Sequence, residues 1–480
     1  MGIIPRFDIF FNNIDNTNVR TQQNSILKAL NWKRLYAVEI QHTWRNEYYG
    51  EETSVDTLGN KTIYFDYSFP GRHKLLSYVT ERKGCYKEYS DYQYGGGMAF
   101  NVFKVPDYPN DYTPKDYRFL YNIDFTLPEP VYGSEDHWGY WNGSTFSFSN
   151  TVSSVITKKS SSLPHAKAET LKEIIYPTGG KSVFEYELNS YSRVVSPTFT
   201  SLNTESGVGG GLRVSKIITY KSGGEIDKIK RYYYTKTLPN NKNSYSESSG
   251  ILKNKPVYDS YFATKDQTVM YELGLFGDKP LNAGTAWLGL RQSGGFIAQP
   301  TNDDSPVIGY SSIFEESLDA GENRLGYIHY QYSNYDEDIW GNSHLDERFL
   351  FATASGDTYA DQFSSKSQER GRLMAKDYYD ADGKKINSIR YKYQKIYGMA
   401  NEYLLTVHQQ TVFFCSDALL TQFGIFSSAF KTYTYSYLPS ECIETTYGMT
   451  TGAVEKITSF VYNRHKLQIE KITHGSNDEE

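Results

Sequence analysis

Aromatic and polar residues alternate in short runs along this chain. Ile63-Tyr64-Phe65-Asp66-Tyr67, Val183-Phe184-Glu185-Tyr186, Arg231-Tyr232-Tyr233-Tyr234, Arg390-Tyr391-Lys392-Tyr393 and Thr432-Tyr433-Thr434-Tyr435 share a period of two, which marks a strand with one buried face. A second strand type opens with a basic residue or Gly before Leu: Arg34-Leu35-Tyr36-Ala37-Val38, Lys74-Leu75-Leu76-Ser77-Tyr78, Gly211-Leu212-Arg213-Val214 and Arg372-Leu373-Met374-Ala375. Ser222-Gly223-Gly224-Glu225 separates residues 214–220 from 229–234, and Asp380-Ala381-Asp382-Gly383 separates 373–379 from 386–393. Gly and Asp tolerate the positive φ that tight turns need, so both sites predict antiparallel hairpins. The units recur at irregular spacing, as a degenerate repeat. Helical periodicity is confined to residues 21–30, with Ile26, Leu27 and Leu30 on one side. The expected fold class is all-β, an irregular array of antiparallel hairpins with very little helix.

The pattern divides the chain softly. Residues 1–150 form an N-terminal hairpin region ending in Asp136-His137-Trp138-Gly139-Tyr140-Trp141-Asn142-Gly143. Residues 151–168 are a Ser-rich loop and 169–239 the central hairpins. Residues 240–305, rich in Gly, Asn, Ser and Pro, are expected to be a long loop excursion, and 306–480 the C-terminal hairpins.

Composition narrows the class. Hydrophobic residues are only 39% of the 480, yet aromatics reach 16%, with 44 Tyr and 26 Phe. Disordered chains lack aromatics, so disorder over most of the length is excluded. Rings in such excess suit a pleated, half-buried surface. The 50 Lys and Arg against 56 Asp and Glu leave a net charge of −6 without long blocks of one sign, so no nucleic-acid partner is expected. Three cysteines, Cys85, Cys415 and Cys442, form no CxxC pair, which argues against a zinc ribbon or a disulfide framework. The first residues lack a basic stretch followed by an apolar one, so no signal peptide is expected in this chain. No uncharged apolar window is long enough for a transmembrane helix.

Candidate chemistry is sparse. A carboxylate beside an imidazole, as in Asp136-His137, could orient a general base or share a metal. Adjacent strand residues face opposite ways, however, and the following Trp-Gly-Tyr-Trp-Asn-Gly reads as a packed aromatic corner turned by its glycines. Gly207-Val208-Gly209-Gly210-Gly211 lacks the Lys-Ser/Thr and helix of a phosphate cradle and reads as a bend where chain segments approach closely. Asp380-x-Asp382-Gly383 has the opening of a calcium loop, but Tyr391 stands where the twelfth-position Glu belongs; Asp336-Glu337-Asp338 is a denser cluster, and both read as turns. No HExxH and no Gly-x-Ser-x-Gly elbow occurs. Neither an enzyme, a metal nor a cofactor is expected. Tyr and Trp rings on a sheet surface can stack on sugars, which makes Trp138, Tyr140 and Trp141 the candidate glycan platform.

Several of these segments stand in a familiar order. Asp136 to Gly143, then Ile175-Tyr176-Pro177-Thr178-Gly179-Gly180 leading into Val183-Phe184-Glu185-Tyr186-Glu187, then Gly209-Gly210-Gly211-Leu212-Arg213-Val214, then Ser248-Ser249-Gly250 and the YD-like Tyr379-Asp380-Ala381-Asp382-Gly383-Lys384 resemble the YD-repeat (RHS-like) proteins of Gram-negative bacteria. The resemblance spans about residues 30 to 400. It implies a ribbon of hairpins wound into a β-shell or superhelical sheet, in a bacterial envelope or secreted protein. Asp136, His137, Gly139, Asn142, Gly143, Pro177, Gly179, Gly180, Gly210 and Gly211 then carry structural roles. Relatives enclose a C-terminal effector domain, and this chain departs from them in showing no distinct toxin domain after its repeats. The expected function is a non-catalytic scaffold that presents or encloses a protein partner or effector domain. The alternatives are a glycan-binding adhesin and, behind it, a polysaccharide-degrading enzyme.

Overall fold

The computed structural model describes residues 3–13, 33–45, 52–54, 61–68, 75–83, 87–90, 101–104, 115–125, 127, 135–144, 158–196, 200–239, 246–253, 255, 259–263, 271–272, 279–280, 287–292, 307–347, 351–352, 364–397, 402–415, 421–448, 452–463 and 467–476. Among these it is almost all antiparallel strand, as the period-2 runs predict. One helical turn, Leu163–Ala166, falls in the Ser-rich stretch; the expected helix at 21–30 lies outside the described residues. No helix among them is long and apolar enough to cross a membrane.

Contacts group the chain into two compact units. The first holds residues 1–128, 168–184 and 218–227. Its strands follow one another as antiparallel neighbours: Ile3–Asn13 pairs with Lys33–Arg45, which pairs with Glu52–Ser54 and Lys61–Ser68. Lys61–Ser68 pairs with Leu75–Lys83, and the series continues through Lys115–Tyr121 and Leu171–Ile175 to residues 181–183. The Tyr121 hydroxyl donates to the Leu76 carbonyl at 2.7 Å, adding a side-chain bond between the paired strands Leu75–Lys83 and Lys115–Tyr121.

The second unit holds residues 129–167, 185–217 and 228–480. Its longest series runs Ile229–Tyr233, Ser312–Leu318, Arg324–Tyr332, Leu373–Asp380, Lys385–Tyr397, Tyr435–Tyr447, Ala453–Tyr462 and Ile469–Ser476, each antiparallel to the next. Tyr403–Cys415 and Thr421–Tyr433 make a separate hairpin. Asp259–Ala263 pairs with Trp287–Gln292 and Tyr271–Glu272 with Lys279–Pro280 inside the expected loop excursion. The alternating run at 432–435 divides between two strands at Thr434, whose N–H donates to the Glu402 carbonyl instead of continuing a ladder.

Rings rather than aliphatic side chains join these strands. Tyr327 and Tyr379 are direct cross-strand partners, stacked at 4.4 Å, and Phe314 and His329 likewise at 4.1 Å. Tyr393 and Tyr437 stack at 5.3 Å. Such pairs add about 0.5–1.5 kcal/mol each beyond the area they bury. Aliphatic burial is local, with Val194, Leu252 and Ile308 in one cluster and Val195, Ile251 and Tyr335 in another.

One turn recurs with the same hydrogen bonds. At Asp136–Tyr140, Asp319–Asn323, Asp338–Asn342 and Asp380–Lys384, the first N–H donates to the fifth carbonyl and the fourth N–H to the first carbonyl. The Asp carboxylate at the first position accepts the N–H groups of the third and fifth residues at 2.8–3.1 Å. The fourth residue is left-handed: Gly139 at φ 88°, Glu322 at 62°, Gly341 at 79° and Gly383 at 82°. Turns 176–180 and 221–225 have the same backbone bonds and a left-handed Gly179 or Gly224, with Tyr and Lys at the first position. The carboxylate satisfies backbone donors that the tight loop leaves without ladder partners.

Gly383→Val should therefore lower stability by more than ~1 kcal/mol, because a β-branched residue is strongly disfavoured at positive φ. Asp380→Ala should cost about 1 kcal/mol through the lost N–H acceptors. Urea midpoints of the two variants against the parent check both values.

Candidate functional site

The corner at residues 135–144 is built on the first of these Asp turns. Asp136 is buried, and besides the N–H groups of Trp138 and Tyr140, both at 2.9 Å, it accepts the Ser161 hydroxyl at 2.6 Å. His137 is half-buried, donates its backbone N–H to the Lys159 carbonyl, and sets its ring edge-on to Trp138 at 5.4 Å. Burial lowers the pKa of its imidazole, the Asp136 charge works the other way, and Lys159 adds to the lowering. Asn142 donates to the carbonyls of Lys158 and Ser160 at 2.8 and 3.0 Å, while its own oxygen accepts from Ser144. The Ser-rich stretch is thereby held against the corner by backbone groups.

The three candidate platform rings have different surroundings. Trp138 packs on Val194, Leu252 and Ile308, and its indole N–H is buried without a hydrogen-bond partner among the described residues. Trp141 lies edge-on to His165 at 4.8 Å, and Tyr140 is 46% exposed. The glycine run passes directly beneath. A Cβ on Gly210 would stand 2.7 Å from the Trp138 Cβ and 2.9 Å from an Asp136 carboxylate oxygen. One on Gly211 would stand 2.9 Å from the Tyr140 ring. Two motifs separated by about seventy residues in sequence are thus one packed junction. Gly143 lies against His165, while Pro177, Gly179 and Gly180 belong to the 176–180 turn.

A second Asp turn carries a deeply buried ionisable cluster. His344 is 1% exposed, with Nδ1 2.9 Å from a Glu369 oxygen and Nε2 3.1 Å from an Asp338 oxygen. The Tyr435 hydroxyl donates to the other Glu369 oxygen, and Lys395 Nζ lies 3.4 Å from it. Arg370 donates to the His344 carbonyl at 2.8 Å and to Asp346 at 2.6 Å, with its guanidinium 4.1 Å above the Tyr335 ring. An imidazole flanked by two carboxylates can relay protons, but a general base must reach a substrate, and this ring is sealed. The cluster works as a latch joining the 338–342 turn, the 3-10 turn Ser367–Glu369 and the strands Lys385–Tyr397 and Tyr435–Tyr447. Sequence reasoning noted only the acidic run Asp336-Glu337-Asp338. Its outer member Asp336 pairs with Arg193 and accepts the Ser311 hydroxyl at 2.7 Å. The legible signal was the second Asp-x-Trp-Gly, Asp338-Ile339-Trp340-Gly341, which matches Asp136-His137-Trp138-Gly139. His344, Glu369 and Tyr435 have no local signature. Among the described residues no group of three or more His, Cys, Asp or Glu is placed to hold a metal ion.

No family model and no curated protein matches the chain. Among solved structures it is similar to the "Crystal Structure of TcdB2-TccC3", at 10% identity over 92% of this chain and 21% of that one, with a TM-score of 0.09. The "Crystal Structure of TcdB2-TccC3-TEV" follows at 9% identity over 93% and 21%, also with a TM-score of 0.09. The chain spans about a fifth of the length of these structures.

The latch predicts acid sensitivity. Burial acts to raise the pKa of Glu369, but hydrogen bonds from His344 and Tyr435 and the charge of Lys395 outweigh it and hold the carboxyl at about 2, against an ordinary 4.5. Asp338 is also held below its ordinary value: burial opposes the shift, and hydrogen bonds from Asn342, His344 and Trp340 override it. A depressed folded-state pKa gives stability that is complete above the unfolded value and lost as pH falls through the folded one. Stability should therefore decline between about pH 4.5 and about pH 2, with Glu369 contributing up to about 3 kcal/mol of the loss. Denaturant unfolding across that range should give a shallower decline for Glu369→Gln, from a lower plateau at neutral pH.

Proposed function

We propose that this chain is a non-catalytic β-hairpin scaffold of a bacterial envelope or secreted protein, which presents or encloses a protein partner or effector domain. The observation that carries the reading is the carboxylate-clamped turn, repeated at Asp136, Asp319, Asp338 and Asp380 between or beside paired strands. Repetition of one turn and of ring-stacked pairs joins strand to strand, and the buried carboxylates of these turns serve to hold strands together. The Asp136 carboxylate, which could have oriented a base, accepts backbone and Ser161 donors instead. The order of motifs from the Asp136 corner to the YD-like Asp380 turn supports the envelope setting.

The exposed ring of Tyr140 favours a second reading, a glycan-binding surface module at the corner. A neutral-glycan array with the parent chain and Trp138→Ala, Tyr140→Ala and Trp141→Ala, followed by product analysis, separates the two. The scaffold reading expects no saturable signal that these substitutions abolish and no shortened glycans. Saturable binding lost in Tyr140→Ala supports the adhesin, and glycan cleavage contradicts both.

A further inference from the structure

The second unit contains an open groove of about 520 Å³ where residues 185–187, 213–216 and 231–235 converge. Its charges are layered. Arg213, Lys216 and Arg231 form the floor with side chains 13%, 19% and 16% exposed, whereas Glu185, Glu187 and Glu322 stand on the rim at 50%, 41% and 37%. Arg213 is fully engaged: Nε contacts Glu187 at 2.7 Å, a terminal nitrogen donates to the Tyr310 hydroxyl at 2.7 Å, and the guanidinium lies 4.4 Å from the Tyr234 ring centre. Arg231 hydrogen-bonds Tyr233 and Glu322, and Lys216 is the loosely held cation. Lys216 Nζ is 3.8 Å from Glu185 and 3.7 Å from Glu322, and Arg231 is 3.4 Å from Glu322 and 3.8 Å from Glu316. Close charge-assisted pairs lie at about 2.7–2.9 Å. A ligand carboxylate seated between Lys216 and Arg231 would reach that distance while Glu322 swings into water.

We propose that this groove binds an acidic sugar, with a uronate-type carboxylate between Lys216 and Arg231. Hydroxyls of Ser215, Thr235 and Ser246 line the same groove and suit sugar hydroxyls. Its volume falls in the range of small-ligand sites and fits one or two sugar units. An acidic peptide recognised by strand addition needs a free strand edge, and the Ile229–Tyr233 edge beside the groove is already paired with Phe314–Leu318. Rim carboxylates repel a polymer with closely spaced phosphates yet admit one isolated anion. This assignment goes beyond the scaffold reading and does not depend on it.

Isothermal titration of the full chain with digalacturonate tests the site, with galactobiose as the neutral control and triglutamate as the peptide control. Saturable one-site binding is expected for digalacturonate, weakened about tenfold or more by Lys216→Gln, a loss typical of removing one charged partner. Glu322→Gln removes the internal competitor and should tighten binding, a gain that misfolding cannot mimic. Circular dichroism of both variants should match the parent. Absence of digalacturonate binding overturns the proposal. So does an affinity unchanged in both variants, or equal affinity for galactobiose or triglutamate.

Discussion

A five-residue turn must close without leaving its backbone donors unsatisfied, and the rest of the hairpin architecture depends on how that is done. A strand reversal this tight needs one left-handed residue and an acceptor for N–H groups turned away from the ladder. Asp at the first position supplies the acceptor and Gly at the fourth supplies the left-handed φ, as at Asp380 and Gly383. Glu322 shows that the pattern tolerates a non-glycine residue when the Asp319 carboxylate clamps the loop. Once the turn sets where a strand reverses, its register follows, and the cross-strand rings fall opposite one another.

Among the described residues, aromatic pairing then joins the strands beside small aliphatic clusters. Tyr327 with Tyr379 and Phe314 with His329 are joined because the registers of neighbouring strands place them face to face. Polar tips remain bonded, as where the Tyr393 hydroxyl donates to the Leu373 carbonyl at 3.0 Å. This arrangement accounts for the excess of Tyr over Leu and Val in a chain of low hydrophobic content. Polar groups are also deeply buried, as at His344 between Asp338 and Glu369, where neighbouring cations and hydrogen bonds compensate the charges. Breaking such a cluster from one side leaves an unpaired buried charge, the costly case.

Period-2 alternation made the strands at 61–68, 181–195 and 385–397 legible, because a half-buried strand must alternate. It misled at Thr434, where four alternating residues span the end of one strand and the start of the next, and where tertiary pairing with Glu402 decides the boundary. The turns at 221–225 and 380–384 were legible from their glycines. Physical contact between Gly210 and the Asp136 corner was not, since close packing of distant segments leaves a small residue at one end and nothing that names its partner. The His344 latch and the groove floor of Lys216 and Arg231 were likewise invisible, because their members come from separate strands whose register no local pattern encodes.

Differential scanning calorimetry of the full chain tests most directly whether hairpins tied to their neighbours, rather than one shared core, hold this protein together. The account predicts a broad or staged transition whose calorimetric enthalpy exceeds the van't Hoff enthalpy, as expected when stability is a sum of neighbour-to-neighbour terms. A single sharp transition with equal enthalpies would contradict it.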